Sequence, residues 1–370
     1  MSKKLCLYFN TPSIYREEIY SKIEKEYDCE WFFSSEDFKV KTFDVSKFKS
    51  VQWLTNRNLG QFYWVKGMIS LLNRDCQNYI LMGETRCLSL YVFLILKNLF
   101  FRTKKVLLWS HGYYGKESWV QKTSFKRPLL KLADCLLIYG NHARELMLKD
   151  GFNPQTTLTV HNSLAYSEQL RLRNTIKPSK IYKDHFGNNY PVLIFLGRLT
   201  PVKQLNMIVT AVAHLKDKGE LFNLIFVGDG SERERLEKMV ISYGIDDQVW
   251  FYGACYDETT NAELVYNADL CIAPGNIGLT AIHVMMFGCP AITHDCFEWQ
   301  MPEFESIHPN ITGNFFEYKN QESLDEKISE WFRTNGNHRE KVRLACYKEI
   351  DEQWTPEFQI KVIEKGLSFK

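Results

Sequence analysis

The segment Leu193-Ile-Phe-Leu-Gly197-Arg198-Leu-Thr-Pro-Val-Lys203 decides how this chain is read. A short apolar run stops at a glycine, and an arginine and a lysine follow in the turn, the pattern of a buried strand opening into a loop. It begins a regular alternation. Strands are predicted at Val192–Leu196, Asn223–Val227, Val249–Tyr252, Leu270–Ala273 and Pro290–Thr293, with helices at Leu205–Lys216, Glu232–Tyr243, Glu258–Asn267 and Gly278–Phe287. Strands that alternate with helices form parallel sheets covered by those helices.

The first half repeats the architecture without repeating the sequence. Its predicted strands are Leu5–Phe9, Glu30–Phe33, Tyr79–Met82, Val106–Trp109, Cys135–Tyr139 and Thr157–Val160; helices fall at Ser13–Tyr27, Cys87–Phe101, Phe125–Ala133 and Asn141–Lys149. Residues 165–190 are polar, have no apolar period and are expected to be a linker. Thr355-Pro356-Glu357 has the capping hydroxyl, proline and early acid of a helix start. With 370 residues, 45% of them apolar, two α/β domains are expected.

Ten cysteines without a Cys-x-x-Cys pair or a His/Cys cluster at zinc spacing fit reduced thiols. The apolar stretch Leu5–Phe9 is too short for a signal-peptide core, so a cytoplasmic location is expected. Residues 1–180 hold 28 Lys and Arg against 16 Asp and Glu, a net +12, whereas the remainder carries −10. This asymmetry suits either two differently charged solvated surfaces or an N-terminal face that meets an anionic membrane. The apolar run Cys87–Phe101 contains Lys97 and is too short to span a bilayer, so it reads as a buried helix. Arg102, Lys104 and Lys105 follow it, which leaves room for a helix lying on a membrane surface.

Three glycine-bearing turns carry the chemistry. Arg198 and Lys203 sit where a strand ends, the edge at which open α/β sheets bind ligands. Phe226-Val-Gly228-Asp-Gly230 leads from a strand into a helix, and its glycines admit either a ligand or a tight turn. In Ala273-Pro-Gly275-Asn276-Ile-Gly278-Leu-Thr280-Ala-Ile-His283, a loop runs into a helix and aims free N–H groups at whatever lies in front, an arrangement suited to a diphosphate. Thr280 and His283 share a helix face. The chain has no Asp-x-Asp pair to hold a metal, so a departing phosphate would need fixed cations and dipoles instead.

Together, Gly-Arg-Leu…Lys, Val-Gly-Asp-Gly, Phe-Tyr-Gly and the Pro…Gly-Leu…Gly-Cys-Pro segment resemble, in order and spacing, the C-terminal domain of retaining glycosyltransferases of the GT-B fold, family 4, in its glycogen synthase-like form. The resemblance runs from Val192 to Trp331. It implies an α/β protein of two Rossmann-like parallel-sheet domains facing across a cleft. Residues 1–175 would form the acceptor side, with a helix at about 355–370 packing back on it, and residues 185–350 the nucleotide-sugar side. By position, Arg198 and Lys203 would clamp the diphosphate beside Gly197 and Gly228, and Asn276, Ile277, Gly278, Leu279 and Thr280 would meet the phosphates. Tyr252, Gly253 and Ala254 would lie beside the base and His283 near the ribose. His111, in Trp109-Ser-His111-Gly112, would face the sugar.

Glu303, in Gln300-Met-Pro-Glu303-Phe-Glu305, is a secondary candidate for a sugar contact, with a solvated loop as the alternative reading. Two departures stand out: Gly275 and His283 occupy the places of the family's two glutamates, and Asn10-Thr-Pro-Ser13 replaces its glycine pair after the first strand. The implied reaction moves a sugar from a nucleotide-diphosphate sugar to a glycan or lipid-linked acceptor, with retention, no metal and no cofactor, in surface polysaccharide or glycoconjugate synthesis. The location would be cytoplasmic or peripheral on the inner face of the membrane, and nucleic acid is not an expected partner. A sugar-nucleotide epimerase on the same fold and a non-catalytic nucleotide-sugar-binding protein are the alternatives.

Overall fold

The computed structural model describes residues 4–34, 41–118 and 120–369; Lys370, at the end of the expected C-terminal helix, lies outside them. The chain divides into two units, Met1–Ala165 with Trp354–Lys370, and Tyr166–Gln353.

Unit 1 contains strands β1 (Lys4–Phe9), β2 (Asp28–Phe33), β3 (Val51–Trp53), β4 (Thr55–Leu59), β5 (Phe62–Lys66), β6 (Asn78–Met82), β7 (Lys105–Ser110), β8 (Cys135–Ile138) and β9 (Thr157–Thr159). Seven of them form a parallel sheet in the order β3-β2-β1-β6-β7-β8-β9, and β4 and β5 pair as a separate antiparallel hairpin. Helices α1 (Glu17–Glu26), α2 (Leu88–Phe100), α3 (Arg127–Lys131) and α4 (Asn141–Lys149) complete its first stretch. Leu5 to Phe9 are all buried, as a strand covered on both faces requires.

Unit 2 opens with α5 (Tyr166–Thr175) and α6 (Ile181–Phe186), in the stretch expected to be a linker. These helices are held by polar contacts that leave no apolar period. Arg173 donates two hydrogen bonds to Asp351, at 3.0 and 2.9 Å, and Tyr182 donates to the Leu264 carbonyl at 2.6 Å. Next come β10 (Val192–Leu196), α7 (Asn206–Asp217), β11 (Asn223–Val227), α8 (Arg233–Ser242), β12 (Val249–Gly253), α9 (Glu258–Asn267), β13 (Leu270–Ala273), α10 (Thr280–Met286), β14 (Ala291–His294), β15 (Gly313–Phe316), α11 (Gln321–Asn335) and α12 (Arg339–Gln353). The sheet is parallel throughout, ordered β12-β11-β10-β13-β14-β15.

The chain then returns to unit 1 as α13 (Pro356–Ser368), capped by Thr355 Oγ1, which accepts the Phe358 N–H at 3.1 Å. Ile360 and Ile363 enter the core beside Leu107 and Leu137. Gln359 donates to the His161 carbonyl at 2.9 Å and accepts from Ser163 at 2.7 Å.

Helix α2 corrects the expected basic surface. Lys104 is 8% exposed, and its ammonium donates to the carbonyls of Arg74 (2.8 Å) and Cys76 (2.6 Å) and to the Tyr79 hydroxyl (3.1 Å). Lys105 donates to the carbonyls of Leu367 and Phe369, and buried Lys97 pairs with Asp134. Of the three cations, Arg102 is exposed and Lys105 is half-buried. The exposed part of α2 is apolar instead, carrying Ile95, Leu99 and Phe100. No helix among the described residues is long and apolar enough to cross a membrane. Replacing Lys104 with glutamine should therefore act on stability, costing about 1–3 kcal/mol in urea denaturation as buried acceptors lose their donor. Arg102→Gln should leave the midpoint unchanged, and equal effects would contradict this assignment of the two cations.

Candidate functional site

At the carboxyl edge of the unit 2 sheet, the turn after β10 meets the turns after its neighbours backbone to backbone. A Cβ at Gly228 would stand closer than 3.0 Å to the Gly197 carbonyl, one at Gly230 to that of Leu199, and one at Gly275 to that of Val202. Real side chains do not fit there, so these three positions require glycine. Hydrogen bonds follow the same contacts: Gly197 N–H to Val227 O (3.0 Å), Gly228 N–H to Gly253 O (2.8 Å) and Gly275 N–H to Lys203 O (3.0 Å).

The packing sorts the two cations. Arg198 is exposed. Lys203, on a short turn at Pro201–Lys203, reaches across to the next loop and donates to the Asn276 carbonyl (2.6 Å) and Oδ1 (2.8 Å). Burial first, and then the neighbouring Arg198 charge, lower its pKa to about 8. An ammonium has three donors, so one remains for a ligand.

The loop before α10 is braced from behind. Gln300 accepts the Ile277 N–H at 3.0 Å and donates to Thr293 Oγ1 (2.8 Å) and the His294 carbonyl (3.1 Å). Thr280 Oγ1 donates to the Leu196 carbonyl at 3.1 Å. The first-turn N–H groups of a helix have no intrahelical partner, and in α10 they follow Gly278, whose φ is 56°.

Tyr252 is partly exposed, with its ring 5.2 Å from that of Trp250, and Ala254 is exposed. His283 donates through Nε2 to Glu258 at 2.8 Å, and Gln169 donates to the same oxygen at 2.8 Å. Burial alone would raise the Glu258 pKa, but these hydrogen bonds hold it below the usual carboxylate range. His283 thus ties α10 to α9, with Gln169 of α5 on the same carboxylate, and keeps Nδ1 for a hydroxyl. Glu303 is 1% exposed, which rules out the solvated loop, and its charge favours the protonated form of Lys203. Gln300 and Glu258 were not marked in the sequence, where neither stands in a glycine-rich turn.

In unit 1, His111 follows β7 and lines a cavity of about 220 Å³ together with Gly83, Glu84, Trp109, Tyr114, Lys126 and Tyr139, among others. Its ring lies 4.6 Å from that of Tyr139. Burial, then the charges of Arg16 and Lys126, push its pKa down to about 4, so the imidazole is neutral at physiological pH. Among the described residues, neither His111 Nδ1 nor Trp109 Nε1 has a hydrogen-bond partner. Arg16 sits behind this cavity, donating to the hydroxyls of Tyr20 and Tyr139 under the rings of Phe9 and Trp109. In the sequence it looks like an ordinary cation of the first helix. The short helix Ile14–Arg16, which follows the segment replacing the family's glycine pair, instead turns it inward.

Residues 178–349 match the family Glycosyl transferases group 1. Alpha-D-kanosaminyltransferase of Streptomyces kanamyceticus is 24% identical over 176 residues, 46% of this chain and 45% of that protein. The chain spans about half the length of the curated relatives it matches first. Over whole chains, the lipopolysaccharide outer core galactosyltransferase WaaB superposes with a TM-score of 0.72 at 14% identity, covering 98% of this chain and 99% of the other. Anabaena Alr3699/HepE, solved with UDP, gives 0.71 at 17% identity with 99% of each chain covered. The fold is GT-B.

Within this GT-B chain the departure at Gly275 has a steric cause, because a side chain there would strike the Lys203 turn. Gly275→Glu, which would place there the acid of the family the sequence resembles, should displace Lys203 and lower stability by about 1–3 kcal/mol as overpacking does. Urea denaturation showing this variant as stable as the unmutated chain would contradict the packing argument. Lys203 also sets a pH window. A diphosphate bound at Lys203 would favour the ammonium, so its affinity should be greatest below about pH 8 and fall by at most about tenfold per unit above it. The empty fold, whose buried site disfavours the charge, should gain stability over the same interval. Titration calorimetry in buffers of different ionisation enthalpy should detect proton uptake near pH 8.5–9, and none in Lys203→Met.

Proposed function

We propose that this protein is a glycosyltransferase that binds a nucleotide-diphosphate sugar at the carboxyl edge of the unit 2 sheet. It moves the sugar, with retention, to a hydroxyl of a glycan or lipid-linked acceptor held by unit 1. The observation that carries the reading is exposed Arg198 beside Lys203, an ammonium whose pKa burial lowers to about 8, on a platform of three obligatory glycines. Preorganised charge of this kind stabilises a leaving diphosphate without reorganising during reaction. The UDP in the HepE structure supports a nucleotide donor.

In this reading Arg198 and Lys203 take the diphosphate oxygens with Gly197 and Gly228 close behind, and the N–H groups at Gly278, Leu279 and Thr280 add the dipole of the helix start. The base lies by Tyr252, Gly253 and Ala254. His283 Nδ1 meets a ribose hydroxyl, and Glu303 acts through Lys203. The departing phosphate oxygen accepts the proton of the acceptor hydroxyl as the bond from sugar to diphosphate breaks and the new glycosidic bond forms, and neutral His111 offers a hydrogen bond to a saccharide held in the unit 1 cavity. Surface polysaccharide or glycoconjugate synthesis at the cytoplasmic side of the membrane is the setting that suits such a reaction. Gly275 and His283, standing where the family has glutamates, favour one second reading, a nucleotide-sugar-binding protein without turnover.

Arg198→Ala and Lys203→Ala should each lower turnover by roughly a hundredfold or more and weaken UDP binding, in an assay of nucleotide release run with and without chelator. Activity should persist in excess chelator. Near-normal rates in both variants, or complete chelator loss rescued by magnesium, would overturn the assignment. UDP-sugar binding with no release across an acceptor panel would establish the second reading.

A further inference from the structure

The His111 cavity does not end at His111. It shares Thr85, Tyr114 and Lys126 with a larger cavity of about 370 Å³, so the two adjoin in unit 1. The inner part is polar. The outer part is walled by aromatic rings from separate segments: Phe62 on β5, Tyr114 after β7, and Phe125 on the turn before α3.

The wall is built and held in place. The Phe62 and Phe125 rings lie 5.6 Å apart. Tyr63 N–H donates to the Arg86 carbonyl at 3.0 Å and Val65 N–H to Ser89 Oγ at 3.0 Å, pinning the hairpin to the start of α2. Tyr91 donates to the Phe125 carbonyl at 3.0 Å, fixing the opposite side.

Cations outnumber carboxylates in the chamber. Among the described residues that line it, Arg86, Lys116 and Lys126 stand against one carboxylate, Glu117. Glu117 is occupied: it pairs with Lys126 and accepts the N–H groups of Tyr114 (2.7 Å) and Gly115 (2.8 Å). Lys116 and Lys126 stand 5.3 and 4.6 Å from the centroid of the Tyr114 ring. A further carboxylate, Glu84, faces Arg86 at 3.5 Å, with the Arg86 side chain 66% exposed. Among the described residues, three cations against two carboxylates leave the chamber net positive, next to flat aromatic faces.

We propose that this outer chamber is an acceptor subsite for an anionic saccharide, whose ring stacks on Phe62, Phe125 or Tyr114 while Lys116 and Arg86 take its carboxylate or phosphate. Aromatic rings supply large contact area to the C–H face of a sugar, and a few placed polar groups in an otherwise apolar pocket set specificity. The inner cavity then receives the part of the acceptor that reacts. This inference rests on the glycosyl-transfer reading above and adds the class of acceptor.

The test uses the full chain and three probes: cellobiose, its 6′-carboxylate and its 6′-phosphate, titrated by NMR at low salt with UDP binding measured on the same samples. At least one charged probe should bind tenfold or more tightly than cellobiose, and which one identifies the anionic group. Lys116→Gln with Arg86→Gln should reduce that ratio to about one at an unchanged melting temperature. Phe62→Ala should weaken the charged and neutral probes alike. Equal affinity for all three probes, binding of none, or indifference to Phe62→Ala would overturn the proposal. Retained UDP binding in those cases would leave the transferase reading standing, whereas loss of UDP binding by the unmutated chain would remove the reading beneath it.

Discussion

Close backbone approach at the edge of the unit 2 sheet is the constraint on which the candidate site depends. Three carbonyls of a single turn, those of Gly197, Leu199 and Val202, each press on a glycine from a neighbouring turn, and none of the three has room for a Cβ. Spent inward in this way, the turn has little freedom left, and its side chains are sorted between solvent and loop. Arg198 points out and Lys203 reaches across to Asn276. A flexible loop with the same two cations would have to order itself around each ligand, losing part of the stabilisation that preorganisation gives.

Unit 1 treats its positive charge differently. Arg16, Lys97, Lys104, Lys105 and Lys126 all turn toward carbonyls, tyrosine hydroxyls or carboxylates within the unit. Three of these, Arg16, Lys104 and Lys105, meet neutral acceptors, so part of the +12 counted along the first 180 residues is internal structure. One outcome is chemical: burial, and then the cations close behind His111, disfavour a second proton on its ring, so the group facing the inner cavity is an uncharged imidazole.

The strands at Val192–Leu196, Asn223–Val227 and Leu270–Ala273 were legible because a strand buried on both faces must be continuously apolar, and theirs are. The glycine turns were legible as turns, but not as mutual contacts, since sequence spacing does not reveal which carbonyl meets which glycine. Elements held by polar groups stayed hidden. Helices α5 and α6 rest on Arg173, Gln169 and Tyr182, and every residue of strand β4 is exposed. The basic run at 102–105 was misjudged for a related reason: a lysine whose ammonium is fully hydrogen-bonded to carbonyls looks, in sequence, the same as one in water. Phe62, Tyr114 and Phe125 come from three separate segments, and only the fold brings them to one chamber.

Helix α13 follows unit 2 in the chain yet completes the core of unit 1. Domains fold as units during synthesis, generally from the N-terminus forward, and here that order is broken. While residues 166–353 emerge from the ribosome, the sheet face that receives Ile360 and Ile363 has no cover, and unit 2 can finish its own core first. The earlier part of unit 1 thus waits for a helix that is made after unit 2, a window in which its bare apolar face is open to chaperones or to aggregation.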